Sequence, residues 1–205
     1  MRMSTTRSRR EQYAQATRAA VLAAAGRRFA ERGFAGTALE DVAADVHATR
    51  GAIYHHFANK TALFAAAFEE LDSEATRASA AAARRAPTPW EAALAALEVF
   101  LEHCCDPVFG RVVWLEAPIA LGSAYWQAAE QDASYRLVEQ LVTAMIDSGD
   151  IEPQPVRTTT RLLFSMLGAA GIALAQAAPE DKPLVKAEYT AVFTRMVAGL
   201  RPAPT

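Results

Sequence analysis

Apolar residues recur at intervals of three and four along almost the whole chain, and nowhere do valine or isoleucine alternate with polar residues over the length of a strand. That period, together with abundant alanine, predicts an all-α fold. Ala20, Ala24 and Phe29, with Val21 and Leu22 half a turn away, form the buried stripe of a first helix. "ERGF" ends it, with Gly33 suited to a left-handed cap. Thr37 to Glu40 has the spacing of a capping box, so a second short helix begins there and ends near Val46. Thr49 is placed to cap a third helix and Asn59 a fourth, which runs to about Arg85 before "APTP" interrupts it.

The later part of the chain follows the same rules. Thr88 and Glu91 make a second capping box with proline at the first helical position, opening a helix to about Cys105. Asp106 and Pro107 start the next, which Pro118 should bend or end. Gly122 to Gly149, Val156 to Ala178 and Leu184 to Leu200 give three longer amphipathic helices, with Pro153, Pro155, Pro179 and Pro183 at the joints. The chain divides into a basic tail and helix start (1–17), a head (18–64) and a body (65–205).

Two short helices joined by a turn of three or four residues form a helix-turn-helix, whose second helix enters the major groove of DNA. In this register Arg50, Ala52, Tyr54 and His55 face outward from the third helix toward DNA, while Ile53 and Phe57 pack inward. Tyr54, His56 and Lys60 are expected at phosphates, and Thr37, Thr49 and Gly51 complete the DNA-binding set.

Charge agrees with that reading. Residues 1–60 carry ten Arg/Lys against five Asp/Glu, a net of +5, whereas the remainder carries eleven against eighteen, a net of −7. A basic head on an acidic body suits a polyanionic partner at the head. Hydrophobic residues are 52% and charged residues 21%, a globular balance. The two cysteines, Cys104 and Cys105, are adjacent and imply no disulfide framework, which fits a reducing cytoplasm. The basic start lacks an apolar signal core, and the apolar run from Leu162 to Ala175 falls short of the roughly 18 residues a span needs, so no membrane role is expected.

Residues 21 to 64, "VLAAAGRRFAERGFAGTALEDVAADVHATRGAIYHHFANKTALF", resemble the DNA-binding head of the tetracycline-repressor (TetR) family of bacterial regulators. Phe29, Gly33, Phe34, Thr37, Val42, Ala43, Gly51, Ile53, Tyr54, Phe57, Lys60 and Leu63 carry the resemblance. The turn between the two short helices usually holds glycine and here holds His47, a residue that tolerates positive φ at some cost. Past residue 86 the resemblance is architectural. It implies a variable ligand-binding body whose last two helices form a four-helix dimer interface.

Other readings of the same residues remain in view. His47, His55 and His56 with the cysteines show no clean metal-ligand spacing, since neighbours on a helix point about 100° apart, and no metal or cofactor is expected. Cys104 and Cys105 read as small core residues. "LGAAG", Leu167 to Gly171, follows no strand and is no nucleotide loop; its small residues suit a close helix approach at a dimer seam. Arg7, Arg9 and Arg10 read as a tail or as a minor-groove arm. Glu116 lies in an apolar run, so it either pairs internally with Arg111 or His103 or lines a ligand pocket. The pocket set expected from aromatic content is Phe100, His103, Trp114, Glu116, Tyr125 and Phe164, a combination that with Glu116 in the wall suits lipophilic cations or neutral ligands with a hydrogen-bond donor.

The sequence therefore predicts a cytoplasmic, homodimeric, one-component transcription regulator that is not an enzyme. It would repress at a palindromic double-stranded DNA operator and be released by a small apolar or amphipathic effector. The alternatives are an all-helical enzyme or small-molecule carrier using His103, Glu116 and the cysteines, and a regulator that has lost ligand response. No nucleophile, base and orienting group fall together to support the enzyme.

Overall fold

The computed structural model describes residues 9–122 and 133–202, with side chains from 15 onward, and its described residues are helical without strands. The head consists of α1 (Arg9–Gly36), α2 (Leu39–Asp45) and α3 (Arg50–His56). α4 (Lys60–Ala83) leads into α5 (Pro89–Cys105), α6 (Pro107–Phe109), a π-helix (Gly110–Glu116), α7 (Ala117–Leu121), α8 (Ala133–Asp147), α9 (Val156–Gln176) and α10 (Lys182–Ala198).

Local capping explains most boundaries. Thr49 Oγ1 accepts from the Ala52 N–H at 3.2 Å, Asn59 Oδ1 from Ala62 at 2.8 Å, and Thr88 Oγ1 from Glu91 at 3.2 Å. Asp106 Oδ1 accepts from Val108 and Phe109 at 2.9 and 2.8 Å. Thr37 departs from the expected capping box. The N-cap of α2 is Ala38, and the Thr37 hydroxyl turns back to donate to the carbonyls of Gly33 at 2.9 Å and Arg28 at 3.2 Å. The Gly33 carbonyl lies at the break in α1, where helical partners are lost, and the threonine satisfies it. Gly33 has φ 70° and ψ 172°, positive as expected but outside the left-handed helical well.

Pro118 also acts differently from a simple bend. The helix widens before it into the π-turn, whose Ala117 N–H donates to the Val112 carbonyl five residues back. Proline offers no N–H and crowds the carbonyl four residues earlier, that of Trp114, and the wider turn relieves that crowding.

One core runs from head to body. Val21, Ala25, Phe29, Val42, Ile53, Leu63 and Phe64 are buried in the head and continue into Leu101, Val112 and Leu174. Phe29 and Phe34 meet Phe64 edge-on at 4.9 and 5.5 Å between centroids. A second cluster of Val142, Met145, Ile151, Leu163 and Val197 joins α8, α9 and α10. α9 is 21 residues long and apolar enough by composition to cross a membrane, longer than the sequence run implied. In this fold Thr160, Leu163, Ala170, Gly171 and Leu174 of α9 are buried against the other body helices.

The α9 glycines expected at a dimer seam lie beside a residue of this chain. A Cβ on Gly171 would lie 2.3 Å from the Trp114 indole and one on Gly168 3.7 Å from it. Gly171 therefore admits this chain's own tryptophan, and Gly168 stands at ordinary contact distance from it. The outward face of α9 and α10 bears other residues: Leu162 at 62% exposure, Ile172, Leu184 at 63%, Val192 and Met196 at 56%.

Candidate nucleic-acid interface and effector cavity

α3 is short and presents its outer side because Ile53 and Phe57, at 1% and 4% exposure, anchor it to the core. Thr49, Arg50, Gly51, Tyr54, His55 and His56 are exposed along that side and Ala52 is half-buried. His47 supplies the turn with φ 52°, the one non-glycine positive φ among the described residues. Arg28 of α1 clamps the end of α2 through two 2.7 Å hydrogen bonds to Asp45. That bond, with the charge of the guanidinium, holds the Asp45 carboxyl below its ordinary range. Arg50 lies 3.1 Å from Glu40 and 5.2 Å over the Tyr54 ring, so its guanidinium is folded back along the head.

Two members of the expected DNA set make contacts within the chain. Thr37 is 3% exposed with its hydroxyl on α1 carbonyls, as described above, and does not reach the outer face. Lys60 donates to the carbonyls of Phe34 at 2.8 Å and Ala35 at 3.3 Å and sits 4.6 Å over the Phe34 ring. A cation at a helix C-terminus satisfies orphan carbonyls and the dipole together.

The joint between head and body is built on Glu116. This carboxylate is 8% exposed, accepts the Phe34 N–H at 2.8 Å, and accepts from Arg111 Nε at 3.0 Å. Both of its oxygens would lie 3.1 Å from a Cβ at Gly33. Of the two sequence readings of Glu116, the internal pair with Arg111 is realised, and the larger contact, to the head backbone, was legible in neither. Glu116 is accordingly not a wall residue of the cavity. His103 lies beside Phe109 at 5.8 Å between rings, next to Cys105 and Glu102 in a shallow depression, also apart from the cavity. Burial pushes the Cys104 thiol up to about 12, and Cys105 is raised by burial too, so both are poor nucleophiles.

The cavity itself, about 810 Å³, lies among α4, α5, the π-helix, α8, α9 and α10. Phe100, Trp114 and Phe164 line it as expected, while Tyr125 lies outside the described residues. Phe100 meets Trp114 edge-on at 6.1 Å, and Phe164 meets Tyr135 at 5.3 Å. Two polar lining residues escaped sequence reasoning. Ser79 and Tyr135 are 4% and 5% exposed, and their hydroxyls have no hydrogen-bond partner among the described residues. A serine inside an alanine-rich helix and a tyrosine in an amphipathic one carry no signal until burial is known. Among the described residues no group of three or more His, Cys, Asp or Glu side chains is arranged to hold a metal.

Comparison with known proteins joins these parts. Residues 21–67 match the family model described as bacterial regulatory proteins, tetR family, and residues 90–200 match the tetracyclin repressor-like C-terminal domain. Over 63 residues, 31% of this chain, the sequence is 48% identical to the HTH-type transcriptional regulator TtgR of Pseudomonas putida, a match spanning 30% of that relative's length. A TetR-family regulator from Pectobacterium atrosepticum superposes with a TM-score of 0.80 at 30% identity, covering 97% of this chain and all of the other. FadR of Bacillus subtilis, solved with stearoyl-CoA, shares the fold at a TM-score of 0.76 and 19% identity over 89% of this chain and 99% of that one. A helix-turn-helix head fused to this helical body, matched on both sides, is the architecture of a family of DNA-binding regulators rather than of enzymes. The chain belongs to the TetR family of transcriptional regulators.

Proposed function

We propose that the protein is a homodimeric repressor that reads a palindromic operator with α3 and leaves it when a small apolar or amphipathic molecule fills the body cavity. The observation that carries the DNA side is the exposed row of Arg50, Tyr54, His55 and His56 on a capped helix whose opposite side is locked into the core. Arg50 is the residue with the reach and the fork for a guanine edge, once it exchanges Glu40 for the base. Tyr54 and His56 reach phosphates, with Thr49 and Gly51 at the start of the helix beside them.

Dimerisation is supported by the outward apolar face of α9 and α10, where Leu162, Ile172, Leu184, Val192 and Met196 stand exposed. Two heads on one such seam would meet half-sites about one DNA turn apart, roughly 34 to 36 Å. Leu162→Glu with Met196→Glu should give monomers by light scattering.

Release is supported by the path from cavity to head. Trp114 lines the cavity, and two residues later Glu116 holds the Phe34 N–H of α1. A ligand that prefers one position of the π-helix changes the hold on the head, and operator affinity falls by the ratio of the ligand's affinities for the two arrangements. To test the reading, genomic fragments retained by the purified protein are sequenced and the selected site is titrated. Arg50→Ala should lose about 1–3 kcal/mol on that site and much less on random DNA. Equal binding of every fragment by parent and variant would remove α3 as the reading element.

A further inference from the structure

The cavity wall is more specific than an apolar hole. Its charged members are Asp72 and Arg161, of opposite sign, and both are already engaged in interactions within the fold. One charge of each sign leaves the wall without a net charge. Glu116, outside the wall, is spent on the Phe34 N–H and Arg111. Against this neutral background stand the hydroxyls of Ser79, from α4, and Tyr135, from α8, buried and without partners among the described residues. Buried polar groups are nearly always hydrogen-bonded, so two such hydroxyls on residues that line one cavity are the groups through which it can take up a ligand's polar atoms. Each hydroxyl can donate or accept.

We infer that the cavity takes a neutral, ring-bearing molecule carrying a hydroxyl or carbonyl oxygen, which Ser79 and Tyr135 hold by hydrogen bonds while the aromatic wall of Trp90, Phe100, Trp114 and Phe164 packs on its apolar body. The inference rests on reading this cavity as the effector site. Acyl-CoA thioesters and other polyanions are disfavoured, because the wall offers their several charges a single arginine, Arg161, which is already engaged. Lipophilic cations are disfavoured in the same way, since the wall carboxylate, Asp72, is engaged as well. Discrimination follows from burial. A ligand of the same shape without its oxygen leaves both hydroxyls unsatisfied, and sites built to hydrogen-bond a hydroxyl reject such analogues strongly.

The test is calorimetric titration of the full chain with four compounds of one skeleton: 2-naphthol, naphthalene, 2-naphthoate and 2-naphthylmethylammonium. 2-Naphthol should bind about tenfold or more tightly than naphthalene, and the two ions should bind more weakly than naphthol by at least as much. Tyr135→Phe and Ser79→Ala should each shrink the naphthol-to-naphthalene ratio severalfold. That ratio is taken within each variant, so a damaged fold, which lowers both affinities, is not mistaken for a lost hydrogen bond. Binding of either ion as tight as naphthol, unchanged ratios in both variants, or no binding of any compound would overturn the inference. A parallel titration of the protein on its selected DNA site separates the two readings: naphthol bound with the stated selectivity but without release of DNA leaves the ligand class standing and removes the effector role.

Discussion

If Glu116 is the joint between body and head, its removal and the crowding of its neighbour Gly33 must be energetically coupled. Glu116→Ala deletes an acceptor that takes the Phe34 N–H at 2.8 Å in a part-buried setting, a charge-assisted bond of about 1.5–3 kcal/mol. The Arg111 contact adds little, since that side chain is 48% exposed and water replaces the carboxylate, about 0–1 kcal/mol. Gly33→Ala forces a side chain onto φ 70° and ψ 172°, a region kept almost wholly to glycine, at a cost of about 1–3 kcal/mol. It also sets a Cβ 3.1 Å from both Glu116 oxygens. In the double variant the backbone strain stays and the crowding disappears, so the total loss should fall short of the two single losses added by about 0.5 kcal/mol or more. Urea titrations followed by circular dichroism give all four stabilities, with an unchanged slope required for comparison. A Glu116→Ala loss below about 0.5 kcal/mol, or single losses that add within error, would refute the joint.

Three further outcomes are expected. His47→Gly should raise head stability by about 0.5–1 kcal/mol in the same urea assay, because φ 52° strains a side chain more than glycine's added chain entropy costs. The Asp45 carboxyl is held below its ordinary pKa by Arg28, so the stability it supplies is present above the ordinary value of 3.8 and lost as pH falls through the lowered one. Acid unfolding of Asp45→Asn should accordingly be flatter below about pH 4 than that of the parent, and parallel curves would contradict the clamp. Cys104, with its thiol near 12, should resist iodoacetamide at pH 8, where roughly one part in ten thousand is thiolate, and label only after denaturation; mass spectrometry of the alkylated peptide decides it.

What could be read from sequence was what is local. Thr49, Asn59, Thr88 and Asp106 cap the helices they precede because donor and acceptor lie within three residues. The alternation of exposed Tyr54 and His55 with buried Ile53 and Phe57 is a property of one helix and its turn. Thr37 has the sequence of a cap as well, yet a break in α1 offered it closer acceptors. Lys60 and Glu116 answer to carbonyls and an N–H of α1 lying 26 and 82 residues away, and no spacing rule reaches that far. Gly168 and Gly171 were legible as a place where something approaches closely. Only packing shows that at Gly171 the visitor is Trp114 of the same chain. Aromatic content located half of the expected pocket set, in Phe100, Trp114 and Phe164, while the hydroxyls of Ser79 and Tyr135 acquire meaning only through burial.

The π-helix gives the molecule a division of labour on which natural variation and engineering can act. Within seven residues it supplies Trp114 to the cavity and Glu116 to the joint. The rest of the wall comes from helices such as α5 and α8, whose lining side chains are not among the partners of Gly33, Phe34 or Glu116. Substitutions at Leu94, Leu137 or Met145 therefore reshape the cavity wall while the Glu116 contacts that hold the head are left intact. On the proposed effector reading, a library confined to those wall positions would alter ligand choice without altering the joint.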